Sequence, residues 1–380
     1  MKYFILTTLL MSINYLQADC SDLDSTDCLQ WAEYCEWNES TEECQEIGGG
    51  GGGDIVYGPF EVSSISQTDG MRDGPLYADA TLYYPENMDT MMTSIVLGPG
   101  WGGDGIYMSE WAYYFSSHGF IATTIDYNDP IDESHQQRAE AMLDLIETIK
   151  LENIRNESPV YNRIDTNKFA AVGYSLSGGV AQLVAMLDST LDAAIALNPT
   201  IIVEDCDGCA DYQYCICLLP EHLNHNVPTL IIAGENEIDE LPSYDGLLGA
   251  DQYFNTPEST TKMLYEIAGG GHSSAENPFN NNIQSKTLNW LKFNLMDSTS
   301  VCINLLQAPT DASLFLTTLD CVNTIAYDIN EDGLVDNADF IMLLTMVVNE
   351  SQTELADINY DLHTDIYDLL LLSDHIHHTF

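Results

Sequence analysis

The sequence predicts an α/β architecture with a mostly parallel central sheet over residues 54–302. Short apolar runs, several with almost no polar residue, alternate there with longer stretches of helical periodicity, as in a sheet covered on both faces. Strands are predicted over Ala80–Tyr84, Ser94–Leu97, Ile121–Ile125, Phe169–Val172, Ala193–Leu197, Thr229–Ala233 and Lys262–Ile267, and helices over Met108–Ser117, Ser134–Ile154, Gly178–Leu187 and Ile283–Leu295. A ligand of such a sheet sits beyond the carboxyl ends of its strands.

The flanks differ in composition. The start, "MKYFILTTLLMSINYLQADC", has Lys2 before an apolar run and the small Ala18 before Asp19, the pattern of a cleaved secretory signal over 1–18. The run is short for a transmembrane anchor and Asn14 breaks it, so no anchor is expected. Residues 19–47 form an acidic segment with four cysteines and Trp31, Tyr34 and Trp37; too short to bury much surface, it needs disulfides for any fold. Six glycines, Gly48 to Gly53, then make a flexible linker.

The chain carries ten cysteines: Cys20, Cys28, Cys35 and Cys44; Cys206, Cys209, Cys215 and Cys217; Cys302 and Cys321. An even number in an exported chain reads as disulfides, with pairing inside each group of four left open; Cys206-x-x-Cys209 also has the spacing of a zinc site. Sixty acidic residues against ten basic ones give a formal net charge of −50. That field repels nucleic acid and anionic membranes and favours cations. Most of the carboxylates are read as a surface suited to salty water, where screening reduces self-repulsion.

The candidate chemistry lies in "FAAVGYSLSGGVAQ", residues 169–182, where a strand feeds a turn and a helix of small residues. This is the setting of the G-x-S-x-G elbow that exposes a nucleophilic serine beside helix N-terminal N–H groups. Gly173, Tyr174 and Ser175 fit, making Ser175 the nucleophile; Ser177 replaces the last glycine, which implies a steric cost where helix and strand pass closely. A base and an orienting acid should follow in the order serine, acid, histidine. "TLIIAGENEIDELPS" offers Glu235, Glu237 and Asp239 after one strand, and "YEIAGGGHSSAENP" offers His272 after the next. For the oxyanion hole, Leu176 N–H follows the nucleophile, and Trp101 N–H in "IVLGPGWGGDG" is the second donor, its indole walling the acyl side.

Through "YGPFEV", "ATLYYPE", "GPGWGG", "SEWAYYFSSHGFIATTIDYN", "YNRIDTNKFAAVGYSLSGG", "VPTLIIAGENE" and "GGGHSSAENP", residues 54 to about 300 resemble the secreted polyester hydrolases, the bacterial cutinases and PET hydrolases related to dienelactone hydrolases. The resemblance implies an α/β-hydrolase fold and a serine esterase acting through an acyl-enzyme on polyesters or hydrophobic esters, with no cofactor for catalysis. It places the catalytic residues at Ser175, Glu237 and His272, the oxyanion donors at Trp101 and Leu176, and substrate contacts at Trp101, Tyr174 and Thr200. The family's acid is normally aspartate, so Asp239 stays in play. Tyr174 stands where the family has histidine or tryptophan, and Thr200 stands near the place of a cleft tryptophan. An insertion over 201–223 takes over there and reshapes the cleft, which counts against aromatic polyesters. Lipase-like or lactone-directed hydrolysis is the alternative activity. Cys302 and Cys321 match the family's C-terminal disulfide, joining the hydrolase to a linker over 303–321.

Residues 322–380 carry a repeat, "DINEDGLVDNAD" from Asp328 and "DINYDLHTDIYD" from Asp357, 29 residues apart. Calcium takes oxygen ligands at turn-forming intervals around a glycine at the sixth place. Asp328, Asn330, Asp332, Asp336 and Asp339 with Gly333 meet that pattern; Asp357, Asn359, Asp361, Asp365 and Asp368 repeat it with Leu362 in place of the glycine. The paired loops resemble a type I dockerin, which implies a cohesin-type partner; a non-catalytic assembly protein is the second alternative.

Overall fold

The computed structural model describes residues 35–38, 43–46, 55–88, 90–202, 223–242, 244, 246–321, 327–330, 335–349, 351, 353, 355–359 and 363–378. The predicted signal segment, the glycine linker and Cys20, Cys28, Cys206, Cys209, Cys215 and Cys217 lie outside these residues. Residues 1–49 and 50–380 form two units. In the first, β1 (Cys35–Asn38) and β2 (Glu43–Glu46) make an antiparallel hairpin that sets Trp37 opposite Cys44.

In the second unit, β3 (Val62–Ser66), β4 (Asp79–Pro85), β5 (Met92–Gly98), β6 (Ile121–Asp126), β7 (Ile164–Tyr174), β8 (Ala193–Leu197), β10 (Thr229–Gly234), β12 (Lys262–Ile267) and β13 (Ala312–Thr317) form one sheet in the order β13-β12-β10-β8-β7-β5-β6-β4-β3. The six strands from β12 to β6 are parallel; β13, β4 and β3 pair antiparallel at the margins. The short β9 (Thr200–Ile202) and β11 (Gly246–Leu248) form a separate antiparallel pair. The predicted seven strands are all present. β3, β9, β11 and β13 are additional, and β13 lies inside the expected linker 303–321.

Successive residues of a strand face opposite sides of the sheet. Val96, Ala171 and Ala194 accordingly join a core under α2 (His135–Glu152) and α3 (Leu176–Leu187). Ile95, Leu97, Val172 and Ile195 join another under α1 (Ser109–Ser117) and α6 (Asn281–Leu295). Trp111 and Phe115 of α1 stack at 5.3 Å, and Trp290 of α6 is fully buried with them. Two-sided covering explains why β5, β8 and β10 are mostly apolar and are buried along their whole length.

Short helices α4 (Glu237–Glu240), α5 (Asp251–Asn255) and α7 (Cys302–Leu306) decorate the second half. Cys302 and Cys321 are bridged, tying α7 to the residues just after β13. In the C-terminal region, α8 (Asn337–Val348) and α9 (Ile366–His378) share a core that includes Ile329, Leu343, Ile358, Leu369 and Leu372. Among the described residues no helix is long and apolar enough to cross a membrane.

The chain leaves β5 for β6 on one side and returns through α2 to β7 on the other, so the strand order reverses between β5 and β7. Their carboxyl ends flank the crevice in which open α/β sheets place their ligand.

Candidate active site

Ser175 sits in that crevice as the residue between β7 and α3, with φ 53° and ψ −118°. A serine held in this sparsely allowed conformation costs about 1–3 kcal/mol, which the surroundings must offset. They do so through its backbone: Ser175 N–H donates to Leu197 O at 2.9 Å, and Ser175 O accepts from Gly178 N–H and Thr200 N–H, each at 2.9 Å. The turn is also tight. A Cβ on Gly173 would lie 1.8 Å from Ser177 O, and one on Gly178 would lie 2.8 Å from Pro199 Cα.

The hydroxyl exposed by this turn meets an imidazole. Ser175 Oγ is 2.8 Å from His272 Nε2, and His272 Nδ1 is 2.9 Å from Glu237 Oε2. An ionised carboxylate only accepts, so Nδ1 carries the proton and Nε2 is free to accept from the serine. Glu237 is 3% exposed, and its other oxygen accepts from Asn198 Nδ2 and Gly234 N–H, both at 2.7 Å. Of the remaining candidate acids, Asp239 is exposed and Glu235 accepts from Gly269 N–H at 2.8 Å; the imidazole pairs with Glu237.

Asn198 is a member of the site that sequence reasoning missed. It follows β8 directly, is fully buried and holds φ 41°. Its amide nitrogen reaches Glu237 Oε1, Gly271 O at 3.3 Å and Ser274 Oγ at 3.2 Å, while its oxygen accepts from Ala275 N–H at 2.7 Å. One side chain thus links the loop bearing the acid to the loop bearing the histidine. Its position at a strand's carboxyl end was the available signal.

Leu176 opens α3, so its N–H is one of the first-turn donors that no helical carbonyl can take. The loop after β5 lies against the elbow: a Cβ on Gly100 would come within 3.3 Å of Ser175 Cβ. Trp101 is 64% exposed, its Nε1 donates to Ile131 O at 3.0 Å, and the next residue, Gly102, donates to Pro130 O at 2.8 Å. Tyr174 packs its ring 5.8 Å from the His272 ring, and its hydroxyl donates to His272 O at 3.2 Å. Thr200 is buried in β9, its N–H donating to Ser175 O and its carbonyl 3.1 Å from His135 Nε2, so its backbone is tied to the elbow. Ser177 is buried too, its hydroxyl within hydrogen-bond reach of Pro99 O.

Acidic groups ring the histidine. Burial, then the carboxylates of Glu276, Glu237 and Glu240, push the Tyr174 phenol well up, so it stays neutral. Burial also raises the Glu276 carboxyl, against the opposing pull of His272.

A family model described as PET hydrolase-like matches residues 53–316. The chain belongs to the PET hydrolase-like family. Cutinase est2 of Thermobifida alba is 30% identical over 243 residues, covering 62% of this chain and 69% of that protein. Cutinase 2 of Thermobifida cellulosilytica is 29% identical over 243 residues, covering 62% and 79%. The bis(hydroxyethyl) terephthalate hydrolase of Streptomyces coelicolor is 25% identical over 256 residues, covering 65% and 71%. This PET hydrolase-like chain is accordingly a carboxylic ester hydrolase. The family match ends within β13, so the residues read as a linker over 303–321 supply the last strand of the domain.

Beyond the family match, Asp332 and Asp361 of the expected calcium loops lie outside the described residues, as does Gly333. Asp339 is buried and accepts from Asn330 N–H and Asp336 N–H at 3.0 and 2.8 Å; Asp368 accepts from the N–H groups of Ile358, Asn359 and Asp365 at 2.7, 3.0 and 2.8 Å. Asp336 and Asp365 instead bond Ala338 N–H and Tyr367 N–H at the starts of α8 and α9. Asp328 is buried, and Asn330, Asp357 and Asn359 are among the described residues of the two loops. Among the described residues, no three carboxylate, histidine or cysteine side chains are grouped so as to hold a metal ion.

Proposed function

We propose that the chain is a secreted serine esterase in which Ser175 attacks an ester carbonyl while His272 Nε2 takes its proton. The developing oxyanion is received by the N–H groups of Leu176 and Trp101, and the leaving alcohol takes the proton from His272, leaving an acyl-enzyme on Ser175. Water, deprotonated by the same imidazole, then releases the acid. Glu237 stays ionised throughout, holding the imidazole in its tautomer and stabilising the imidazolium. The observation that carries this reading is the continuous pair of hydrogen bonds from Ser175 through His272 to Glu237.

The substrate is a hydrophobic ester or polyester. The names of the relatives, cutinases and a bis(hydroxyethyl) terephthalate hydrolase, support it, as does the exposed Trp101 beside the nucleophile. Hydrolysis of p-nitrophenyl butyrate by the wild type and by Ser175→Ala tests the mechanism; equal rates refute it. A panel with long-chain p-nitrophenyl esters, a lactone, an aliphatic polyester and PET film ranks the substrates. Release into the medium depends on residues 1–18, and retention of the product in cells would refute export.

For the C-terminal repeat the reading is calcium-dependent folding and docking on a cohesin-type partner. The all-oxygen loops support the first, and the exposed Ile341, Val348, Tyr367 and Leu370 on α8 and α9 support the second. Calorimetric titration of the full chain with calcium, then calcium-dependent capture by a cohesin, tests both; no heat and no capture would overturn them.

A further inference from the structure

We propose that Ser177, the residue that departs from the elbow motif, is a positioning residue for catalysis that fixes the oxyanion loop through its hydroxyl. This rests on the reading that Trp101 N–H receives the oxyanion.

Ser177 is fully buried on the first turn of α3, and its Oγ lies against Pro99 O. A carbonyl only accepts, so Ser177 donates there. Its single proton is thereby used, and the contact of 2.9 Å between Tyr127 OH and Ser177 Oγ must have the phenol as donor. Phenol, hydroxyl and carbonyl form one directed chain ending two residues before Trp101. A glycine at 177 would leave that carbonyl without this donor.

The chain is part of a closed circuit. The Arg138 guanidinium lies 4.3 Å from the centroid of the Tyr127 ring, is fully buried, and donates to Pro130 O at 2.5 Å and Glu133 O at 3.3 Å. Pro130 O also accepts from Gly102 N–H. The loop is therefore gripped on both sides of Trp101, at Pro99 by Ser177 and at Gly102 by Pro130, with Tyr127 and Arg138 joining the two grips behind it. Space for the side chain comes from Gly98, where a Cβ would lie 2.8 Å from Ser177 Cβ and 2.9 Å from Ser177 Oγ.

Such a device acts on the transition state more than on the bound substrate, because the oxyanion forms only after attack. The test compares wild type, Ser177→Ala, Ser177→Gly and Tyr127→Phe, each titrated with a fluorophosphonate so that rates refer to reactive Ser175. Expected for Ser177→Ala is full titration, an unchanged KM for p-nitrophenyl butyrate, and a kcat lower by about tenfold or more, in line with the cost of small misplacements in active sites. The Ki of a phenylboronic acid, which forms a tetrahedral adduct on the serine, should rise in parallel. Tyr127→Phe should shift both values the same way by a smaller factor. Wild-type kcat and Ki in the titrated Ser177 variants would overturn the proposal, as would a loss confined to the titratable fraction. If the Ser177 variants do not fold, wild-type values in Tyr127→Phe would overturn it. Failure of the underlying esterase reading looks different: the wild type itself would neither titrate nor respond to Ser175→Ala.

Discussion

Glu237 holds His272 Nδ1 with one oxygen at 2.9 Å and is itself held at the other by Asn198 and the Gly234 N–H. All three bonds end on the carboxylate, so they depend on the length of a glutamate. Glu237→Gln should lower kcat for p-nitrophenyl butyrate by roughly 10³-fold or more, because an amide cannot stabilise the imidazolium or enforce its tautomer. Glu237→Asp should lose roughly tenfold to a hundredfold, since the shortened carboxylate cannot keep both His272 and Asn198. Asp239→Asn, on an exposed residue, should leave kcat unchanged. Steady-state kinetics on the three variants decide among the acids.

Replacing Asn198 by alanine takes one of the two donors from Glu237 Oε1 and leaves the buried Ala275 N–H without its acceptor. The expected loss is about 2–4 kcal/mol of stability, with the left-handed φ adding to the cost for alanine. Urea unfolding reads the first effect. A fall in kcat among molecules that remain folded at low urea reads the second, the loosening of the acid loop from the histidine loop.

Acid should destabilise the protein through two buried imidazoles. Burial holds His135 at about 4 from an ordinary 6.5, with the Thr200 carbonyl opposing and Arg138 assisting; burial holds His225 at about 4 as well. Between these values the folded state binds fewer protons than the unfolded one, so each contribution is present above pH 6.5 and is lost as pH falls towards 4. The partly buried carboxyls of Asp126, Glu133, Asp192 and Glu276, all raised chiefly by desolvation, act with the opposite sign. A difference measurement separates them: His135→Gln should show a smaller drop in melting temperature between pH 7 and 5 than the wild type.

The main-sheet strands were legible because burial on both faces leaves β5, β8 and β10 little but apolar residues. β3 and β13 were not, since a sheet-edge strand is half-exposed and "VSSIS" or "ASLFLT" acquires its identity from the neighbour it pairs with. Ser175, His272 and the group containing Glu237 stood out because each combines a reactive side chain with a strand end. Asn198 occupies such an end too, but an asparagine before proline reads as a turn. The backbone bond from Thr200 N–H to Ser175 O was not legible for a related reason, since no side-chain chemistry announces it.

Removing the Cys302–Cys321 bridge frees a 19-residue loop that carries both α7 and β13. In chain-entropy terms the cost is about 3 kcal/mol. Lys286 partly compensates by donating to the carbonyls of Asn304, Leu305 and Gln307. A Cys302→Ser, Cys321→Ser double variant should melt about 5–10 °C lower. Its amide exchange should quicken first in β13; unchanged exchange there would contradict the role of the bridge.

At the junction of β5 and α3, one β-carbon's worth of room is shared by two positions. Gly98 leaves it empty and Ser177 fills it. The fifth letter of the elbow motif is then half of a pair whose other half lies 79 residues earlier. A pattern search that scores each position alone penalises this chain for a serine, whereas one that scores the two together finds the missing glycine on the neighbouring strand.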